Sequence, residues 1–82
     1  MTPDVVEAVL EKFRPHFKGD GSDLLLGSID PSGIVEVQIP IYAETCVECL
    51  LPQDMIAKVL DNEIRAVAPD LLRVDVRIVK SD

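Results

Sequence analysis

Two cysteines three positions apart, Cys46 and Cys49, are the only cysteines in this chain of 82 residues. A C-x-x-C pair brings two sulfurs to one place, where they can ligate a soft metal, form a redox disulfide, or pack as small apolar side chains. Structural zinc sites and cubane iron–sulfur clusters take four protein ligands, and one chain supplies two thiols. Two chains related by a two-fold axis would supply four thiolates around one metal centre.

The neighbours of the cysteines bear on this choice. Glu44 and Glu48 oppose thiolate formation, because a nearby carboxylate disfavours a second negative charge, and this environment is unfavourable for a dithiol oxidoreductase. Leu50 and Leu51 follow the second cysteine directly. They can line a contact between two chains and keep water from a cluster, or they can pack into the core of their own chain.

The other side chains that could ligate a metal or take part in catalysis are better explained by structural roles. His16, the only histidine, lies in the last turn of a predicted helix, where a histidine commonly interacts with the helix C-terminus. Asp20 and Asp23 flank a glycine and are expected to cap turns rather than to form an acid–base or magnesium pair. Tyr42 can shield a cluster or be a half-buried residue at a strand end. No serine, histidine and acid set supports hydrolysis, and we expect a protein that is not an enzyme.

Composition limits the possible partners and the compartment. Fifteen acidic and eight basic residues give a net charge of -7, which repels phosphate backbones and anionic headgroups, so nucleic acid and membrane are poor partners. An apolar fraction of 48% in so short a chain predicts a single domain over residues 1–82. No targeting segment or membrane-spanning run is recognisable, and the reducing cytoplasm is the predicted compartment, where a metal site or catalytic dithiol is favoured over a static disulfide.

The elements that must position the cysteines are predicted from periodicity and turn signals. Thr2, Pro3 and Asp4 begin a helix that runs to about Arg14 or Phe17, and Pro15 either stops it early or bends its last turn. A loop over 19–23, a hairpin of strands 24–29 and 34–39, a helix from about Pro52 to residue 67, and a strand over 72–78 follow. This order, α-β-β-α-β, predicts an α+β domain with a three-stranded mixed sheet and two helices on one face. Cys49 then precedes a helix N-terminus, which favours a thiolate.

The whole chain resembles the C-terminal domain of the NifU family of iron–sulfur cluster scaffold and carrier proteins, over nearly all of residues 3–79. The similarity lies in the order of elements, in a 19–23 loop like the family's Asp-Gly-Gly-Asp segment, and in the pair Cys46–Cys49 between the second strand and a helix. The resemblance implies a four-iron four-sulfur (4Fe-4S) cluster held by Cys46 and Cys49 of each chain of a homodimer, and its delivery to apo iron–sulfur proteins. Where the family has proline directly after the second cysteine, this chain has Leu50 and Leu51 before Pro52.

Two alternatives to a cluster carrier follow from the residues. One is a small protein-interaction module in which the cysteines are packed or bind zinc and the acidic surface recognises a basic partner. The other is a dithiol oxidoreductase, which needs a reversible disulfide between the two cysteines.

Additional glutamates around a cluster that already carries negative charge would lower its reduction potential and weaken its binding. Weak binding suits a carrier.

Overall fold

The computed structural model describes residues 2–45 and 52–80. It contains five elements in the order α-β-β-α-β: α1 (Pro3–Gly19), β1 (Leu25–Ile29), β2 (Ile34–Ile41), α2 (Gln53–Val67) and β3 (Arg73–Lys80). The predicted α+β class and element order are confirmed. None of the helices in the described ranges is long and apolar enough to cross a membrane.

Helix α1 begins as its sequence predicts and ends later. Thr2 is the N-cap, and its hydroxyl accepts a hydrogen bond from the backbone N–H of Val5 at 3.4 Å. Pro15 lies inside the helix, which continues to Gly19. The last turn persists because it buries Phe17, which is 5% exposed, in the core. Burial of an aromatic side chain outweighs the one backbone hydrogen bond that proline cannot donate.

The helix closes at Gly21 with a regular C-terminal motif. The N–H of Ser22 donates to the carbonyl oxygen of Phe17 at 2.9 Å, and the N–H of Gly21 donates to that of Lys18 at 3.1 Å. This pair of bonds is the Schellman arrangement, which requires a left-handed residue after the cap. Gly21 has φ +82°, a conformation that glycine adopts without a steric penalty.

The sheet is mixed and has the order β1-β2-β3. Strands β1 and β2 form the predicted antiparallel hairpin, and β3 pairs with β2 in parallel from Ile34↔Arg73 to Ile41↔Lys80. Because β2 and β3 are parallel, their C-terminal ends lie at the same edge of the sheet. The segment that follows β2, which leads to the cysteines, therefore leaves the sheet at this edge.

Strand β2 extends two residues beyond its predicted end, through Pro40 to Ile41. Proline is normally excluded from a central strand because it lacks a backbone donor. The antiparallel ladder with β1 has already ended at Gln38, and the Pro40 carbonyl oxygen accepts a hydrogen bond from the Ser22 hydroxyl at 2.6 Å instead. This edge of Pro40 faces the loop after α1, so the missing N–H costs no bond in the sheet.

Both helices pack on one face of the sheet, as predicted. The alternating residues of β2 that face the helices are fully buried, whereas Glu36 and Gln38 lie on the opposite, open face. On that open face the guanidinium Nη1 of Arg77 in β3 lies 3.7 Å from the carboxylate Oε1 of Glu36. The buried apolar core consists of Val6, Val9, Leu10, Phe17, Leu24, Val35, Val37, Ile39, Ile56, Leu60, Ile64, Ala68, Leu71 and Val74.

Candidate functional site

The cysteines themselves, Cys46 and Cys49, lie outside the described residues, as do Glu48, Leu50 and Leu51. We call residues 46–51 the cysteine segment. The structure describes both of its flanks, Thr45 on the N-terminal side and Pro52 on the C-terminal side. The site can therefore be built from what holds these two flanks.

Thr45, the residue directly before Cys46, is buried and hydrogen-bonded on both sides of its hydroxyl. Its Oγ1 accepts a hydrogen bond from the backbone N–H of Tyr42 at 2.7 Å and donates one to the carbonyl oxygen of Gly21 at 2.7 Å. The Thr45 backbone N–H donates to the Tyr42 carbonyl oxygen at 3.1 Å. These three bonds close the turn after β2 and attach it to the loop after α1.

Gly21 lies close to this turn because it has no side chain. A Cβ atom on Gly21 would lie 3.1 Å from the carbonyl oxygen of Glu44 and 3.3 Å from the Cα atom of Thr45. Distances this short require one of the two backbones to shift. Ser22, the next residue, holds the end of β2 through Pro40. The 19–23 loop therefore supports the N-terminal flank of the cysteine segment at two successive residues.

The C-terminal flank of the cysteine segment is the start of α2. Pro52 is the N-cap and makes no side-chain capping bond, while its carbonyl oxygen accepts hydrogen bonds from the N–H groups of Met55 and Ile56, both at 3.0 Å. The first N–H groups of a helix have no partner within it and carry partial positive charge. Cys49 precedes Gln53, the first residue of α2, by four positions, which agrees with the predicted order of the site.

Gln53 connects the start of α2 to the sheet. Its side-chain Nε2 donates a hydrogen bond of 2.7 Å to the carbonyl oxygen of Val76 in β3. This bond holds the start of α2 against the middle of β3, and in the parallel β2-α2-β3 order this start lies on the side at which β2 and β3 end. The 19–23 loop contacts the end of β2 on the same side through Ser22 and Pro40. We call this side the cysteine end, because both flanks of the cysteine segment belong to it.

The two aspartates of the 19–23 loop behave differently from each other. Asp23 bonds locally to the backbone, since its Oδ1 accepts a hydrogen bond of 2.7 Å from the N–H of Leu24. Asp20 caps α1 through its backbone, but its buried Oδ2 atom has no hydrogen-bond partner. The imidazole Nε2 of His16 lies 3.9 Å from this atom. His16 itself lies in the last turn of α1, as predicted, with its side chain largely exposed.

Glu44 and Tyr42 lie in the turn that precedes the cysteine segment, and both are exposed to solvent. Tyr42 is 38% exposed and follows the last residue of β2, as expected for a half-buried tyrosine at a strand end. Glu44 brings a carboxylate to the residue before Thr45. The negative charge predicted beside the cysteines is therefore held in a turn of defined position.

Within residues 2–45 and 52–80, no three histidine, cysteine, aspartate or glutamate side chains are grouped so that they could hold a metal ion. Cys46 and Cys49, the ligands predicted from the sequence, lie between these two ranges. Two thiolates suit soft metals such as zinc and the iron of iron–sulfur clusters. One chain therefore supplies two of the four ligands that a zinc site or a cubane cluster takes.

The sequence predicts Cys46 and Cys49 as ligands but does not predict the contact that holds the residue before Cys46. Thr45 and its partner Gly21 are 24 positions apart in the chain. The one signal for this contact was the pair of glycines in the 19–23 loop, which indicates close backbone approach as well as a turn. No periodicity links that loop to the segment after β2.

Comparisons with known proteins leave the family open. No family model matches the chain, and no curated protein matches it either. The similarity to the NifU family therefore remains a prediction from the motifs and the order of elements.

Proposed function

We propose that this protein is an iron–sulfur cluster scaffold or carrier, not an enzyme, that acts in the cytoplasm. Cys46 and Cys49 of two chains bind one 4Fe-4S cluster, which is the cargo that the homodimer delivers to apo iron–sulfur proteins. The observation that carries the proposal is the position of the C-x-x-C pair between a flank held by Thr45 and the N-terminus of α2. Cys49 comes four positions before the first residue of α2, and the partial positive charge of a helix N-terminus favours a thiolate.

The cysteine end offers a surface for a second chain. Three apolar side chains at the ends of the elements that meet there are partly exposed: Tyr42 at 38%, Met55 at 50% and Ile78 at 38%. A symmetric dimer in which the cysteine segments face each other would cover this surface and complete the four-thiolate set. Apolar surroundings would also exclude water from the cluster.

The charge of the chain supports transient rather than permanent binding. A cluster with four thiolate ligands is anionic, and Glu44 and Glu48 of both chains add four carboxylates near it. Repulsion between these charges weakens the bound state relative to the released one. A cluster held in this way passes readily to a recipient with a complete ligand set of its own.

Anaerobic reconstitution with iron and sulfide tests the proposal. We expect broad thiolate-to-iron charge-transfer absorption, about half a cluster per chain, and a mass in solution that doubles when the cluster binds. The loaded protein should then transfer its cluster to an apo-ferredoxin in the presence of a chelator that captures free iron. The matched control is the Cys46→Ser, Cys49→Ser variant, which should fold and remain apo.

Two outcomes contradict the proposal. If the double serine variant takes up the same iron and sulfide, the cysteines are not the ligands. If the wild-type protein takes up no iron but carries stoichiometric zinc, the small interaction module with zinc-bound cysteines is the better description.

A further inference from the structure

We infer that Thr45 and Gly21 position Cys46, so that the loop after α1 determines how the first ligand is presented to the cluster. The role of the cluster in this inference rests on the proposed function. The choice of Thr45 and Gly21 rests on their hydrogen bonds. Thr45 and Gly21 have no thiol and are not ligands themselves. They act through Cys46, which follows Thr45 in the chain.

The Thr45 hydroxyl is fully used in this role. It accepts one hydrogen bond from Tyr42 and donates one to Gly21, each at 2.7 Å, and the side chain is 9% exposed. A buried hydroxyl with both functions satisfied has one orientation and fixes the backbone that carries it. Only serine could make the same two bonds, whereas valine has the same shape and can make neither.

Gly21 completes the contact from the other side. Its carbonyl oxygen is the acceptor for Thr45, and its lack of a Cβ atom allows the Glu44 carbonyl oxygen within 3.1 Å of the position that such an atom would take. The Schellman bonds of α1 hold Gly21 in place at φ +82°. Thr45, the N-terminal flank of the cysteine segment, is therefore attached to the hydrogen-bonded end of a helix that reaches the core through Phe17.

This arrangement lowers the cost of binding a cluster. A ligand on a flexible chain must lose conformational freedom when the metal binds, whereas the hydrogen bonds of Thr45 fix the backbone directly before the first ligand on folding. Thr45 does not belong to the apolar core, so removing its hydroxyl affects this contact more than the packing of helices and sheet. The effect should therefore appear in cluster retention and in local opening near Thr45.

The first experiment compares Thr45→Val with Thr45→Ser. After anaerobic reconstitution, the valine variant should lose its cluster to a chelator about tenfold faster than wild type, as expected for losing a buried hydrogen-bond pair. The serine variant should retain it within about twofold of wild type. Equal retention in the valine and serine variants would overturn the inference while leaving the cluster-carrier function in place.

A second readout uses the apo protein and does not depend on the cluster. The amide of Tyr42, which donates to Thr45, should exchange with deuterium about tenfold faster in Thr45→Val than in Thr45→Ser. Alkylation of Cys46 relative to Cys49, measured on separate peptides or by mass spectrometry of partially labelled protein, should change at least about threefold with the valine substitution. If wild type binds no cluster but these apo differences appear, the proposed function fails and the positioning role stands. If neither difference appears, the positioning role is wrong.

Two glycine substitutions provide an independent test. Gly21→Ala introduces a Cβ against Glu44 and Thr45, whereas Gly19→Ala introduces one that meets no atom within 4 Å. Gly21→Ala should accelerate cluster loss by about tenfold or more at a temperature where the protein remains folded, because the backbone must shift. Gly19→Ala should behave as wild type, and equal cluster loss in the two alanine variants would contradict a role for Gly21.

Discussion

The Nε atom of Arg14 donates a hydrogen bond of 2.8 Å to the carbonyl oxygen of Leu24, which joins the second half of α1 to the residue before β1. The same guanidinium bonds both carboxylate oxygens of Glu7, at 3.1 and 2.9 Å, and bonds Glu11. Burial lowers the pKa of Arg14, but the hydrogen bonds to Glu11 and Glu7 outweigh it and raise this pKa above its ordinary value. Arg14 thus joins two glutamates of α1 to the backbone of Leu24, the residue that follows the 19–23 loop.

Replacing Arg14 with lysine should destabilise the fold even though the charge is kept. An ammonium group cannot reproduce the planar fork that serves Leu24 and Glu7 together, so the free energy of unfolding should fall by about 1–3 kcal/mol. Urea denaturation measures this value. Arg73→Lys is the matched control, because the Arg73–Asp75 pair is largely exposed at 62% and 52%, and it should change stability by less than about 1 kcal/mol. A loss as large in Arg73→Lys would contradict this account of Arg14.

Gly33 is required where the hairpin turn meets the loop between α2 and β3. It has φ +103°, and a Cβ atom there would lie 2.7 Å from the Asp70 carbonyl oxygen and 3.0 Å from the Leu72 backbone nitrogen. Its own carbonyl oxygen accepts a hydrogen bond of 2.7 Å from the Leu72 N–H. The turn of the hairpin and the entry to β3 are therefore one contact.

We expect Gly33→Ala to lower the free energy of unfolding by about 2–4 kcal/mol. The energetic cost of a positive φ in alanine adds to the cost of displacing the neighbouring backbone. Thermal and urea unfolding measure the loss, and Gly19→Ala again serves as the control. Gly19 lies at the end of α1 with open space around it, so alanine there should be neutral or slightly stabilising. Equal stability of the two variants would show that the contact at Gly33 relaxes without cost.

The fold follows from local patterns to a large extent, and the differences arise where a tertiary contact overrides a local preference. The periodic apolar residues of α2 predict its helix because they are also its buried face: Ile56, Leu60 and Ile64. Pro40 suggests a strand end, yet β2 continues because β3 still pairs with it there, and on its other side Ser22 rather than β1 bonds the Pro40 carbonyl oxygen. The local sequence of β2 predicts a strand end at Pro40, whereas the pairing with β3 and the contact with the loop after α1 allow the strand to continue.

The sequence predicts a ligand pair for the candidate site, whereas the contacts that hold its N-terminal flank became visible only in the structure. A C-x-x-C pair is visible in sequence because its spacing alone brings two sulfurs together. The bond between Thr45 and Gly21 depends on where α1 ends, and that end was set by the burial of Phe17 beyond Pro15. Such a contact is fixed by the packing of distant elements, so no local pattern contains it.

Asp30 should make the stability of the hairpin depend on pH. A hydrogen bond from the Ser32 hydroxyl and one from the Ser32 backbone N–H, at 2.6 and 2.8 Å, lower the pKa of Asp30 below its ordinary value. A carboxylate with a lowered pKa stabilises the folded state above its unfolded pKa of about 3.9, and this contribution is lost as the pH falls through the folded value.

The variant Asp30→Asn isolates this effect, because an amide oxygen can accept the same two hydrogen bonds without titrating. Wild type should be the more stable of the two at pH 7, and the difference should shrink as the pH falls below the ordinary Asp pKa of about 3.9. Urea midpoints at a series of pH values provide the measurement. A difference that does not shrink as Asp30 becomes protonated would mean that the Asp30 charge does not stabilise the turn.

The glutamates beside the cysteines should tune how tightly a cluster is held. The Glu44→Gln, Glu48→Gln variant removes four negative charges from a dimer while preserving side-chain size. Each carboxylate near an anionic cluster is worth about 1 kcal/mol or less in a solvent-exposed setting, so cluster loss to a chelator should slow by about three- to tenfold. The reduction potential of the cluster should become more positive, because reduction adds a negative charge that the carboxylates oppose.

A control must separate this local effect from the net charge of the chain. Glu63→Gln, combined with Asp4→Asn, removes the same charge from residues of α1 and α2 that are remote in sequence from the cysteine segment. Glu63 lies ten residues beyond Gln53, about 15 Å along the helix axis. Screening at physiological salt limits its effect at that distance, so the control should leave potential and retention near wild type. If control and test variants shift both quantities equally, the net charge rather than the position of Glu44 and Glu48 governs cluster release.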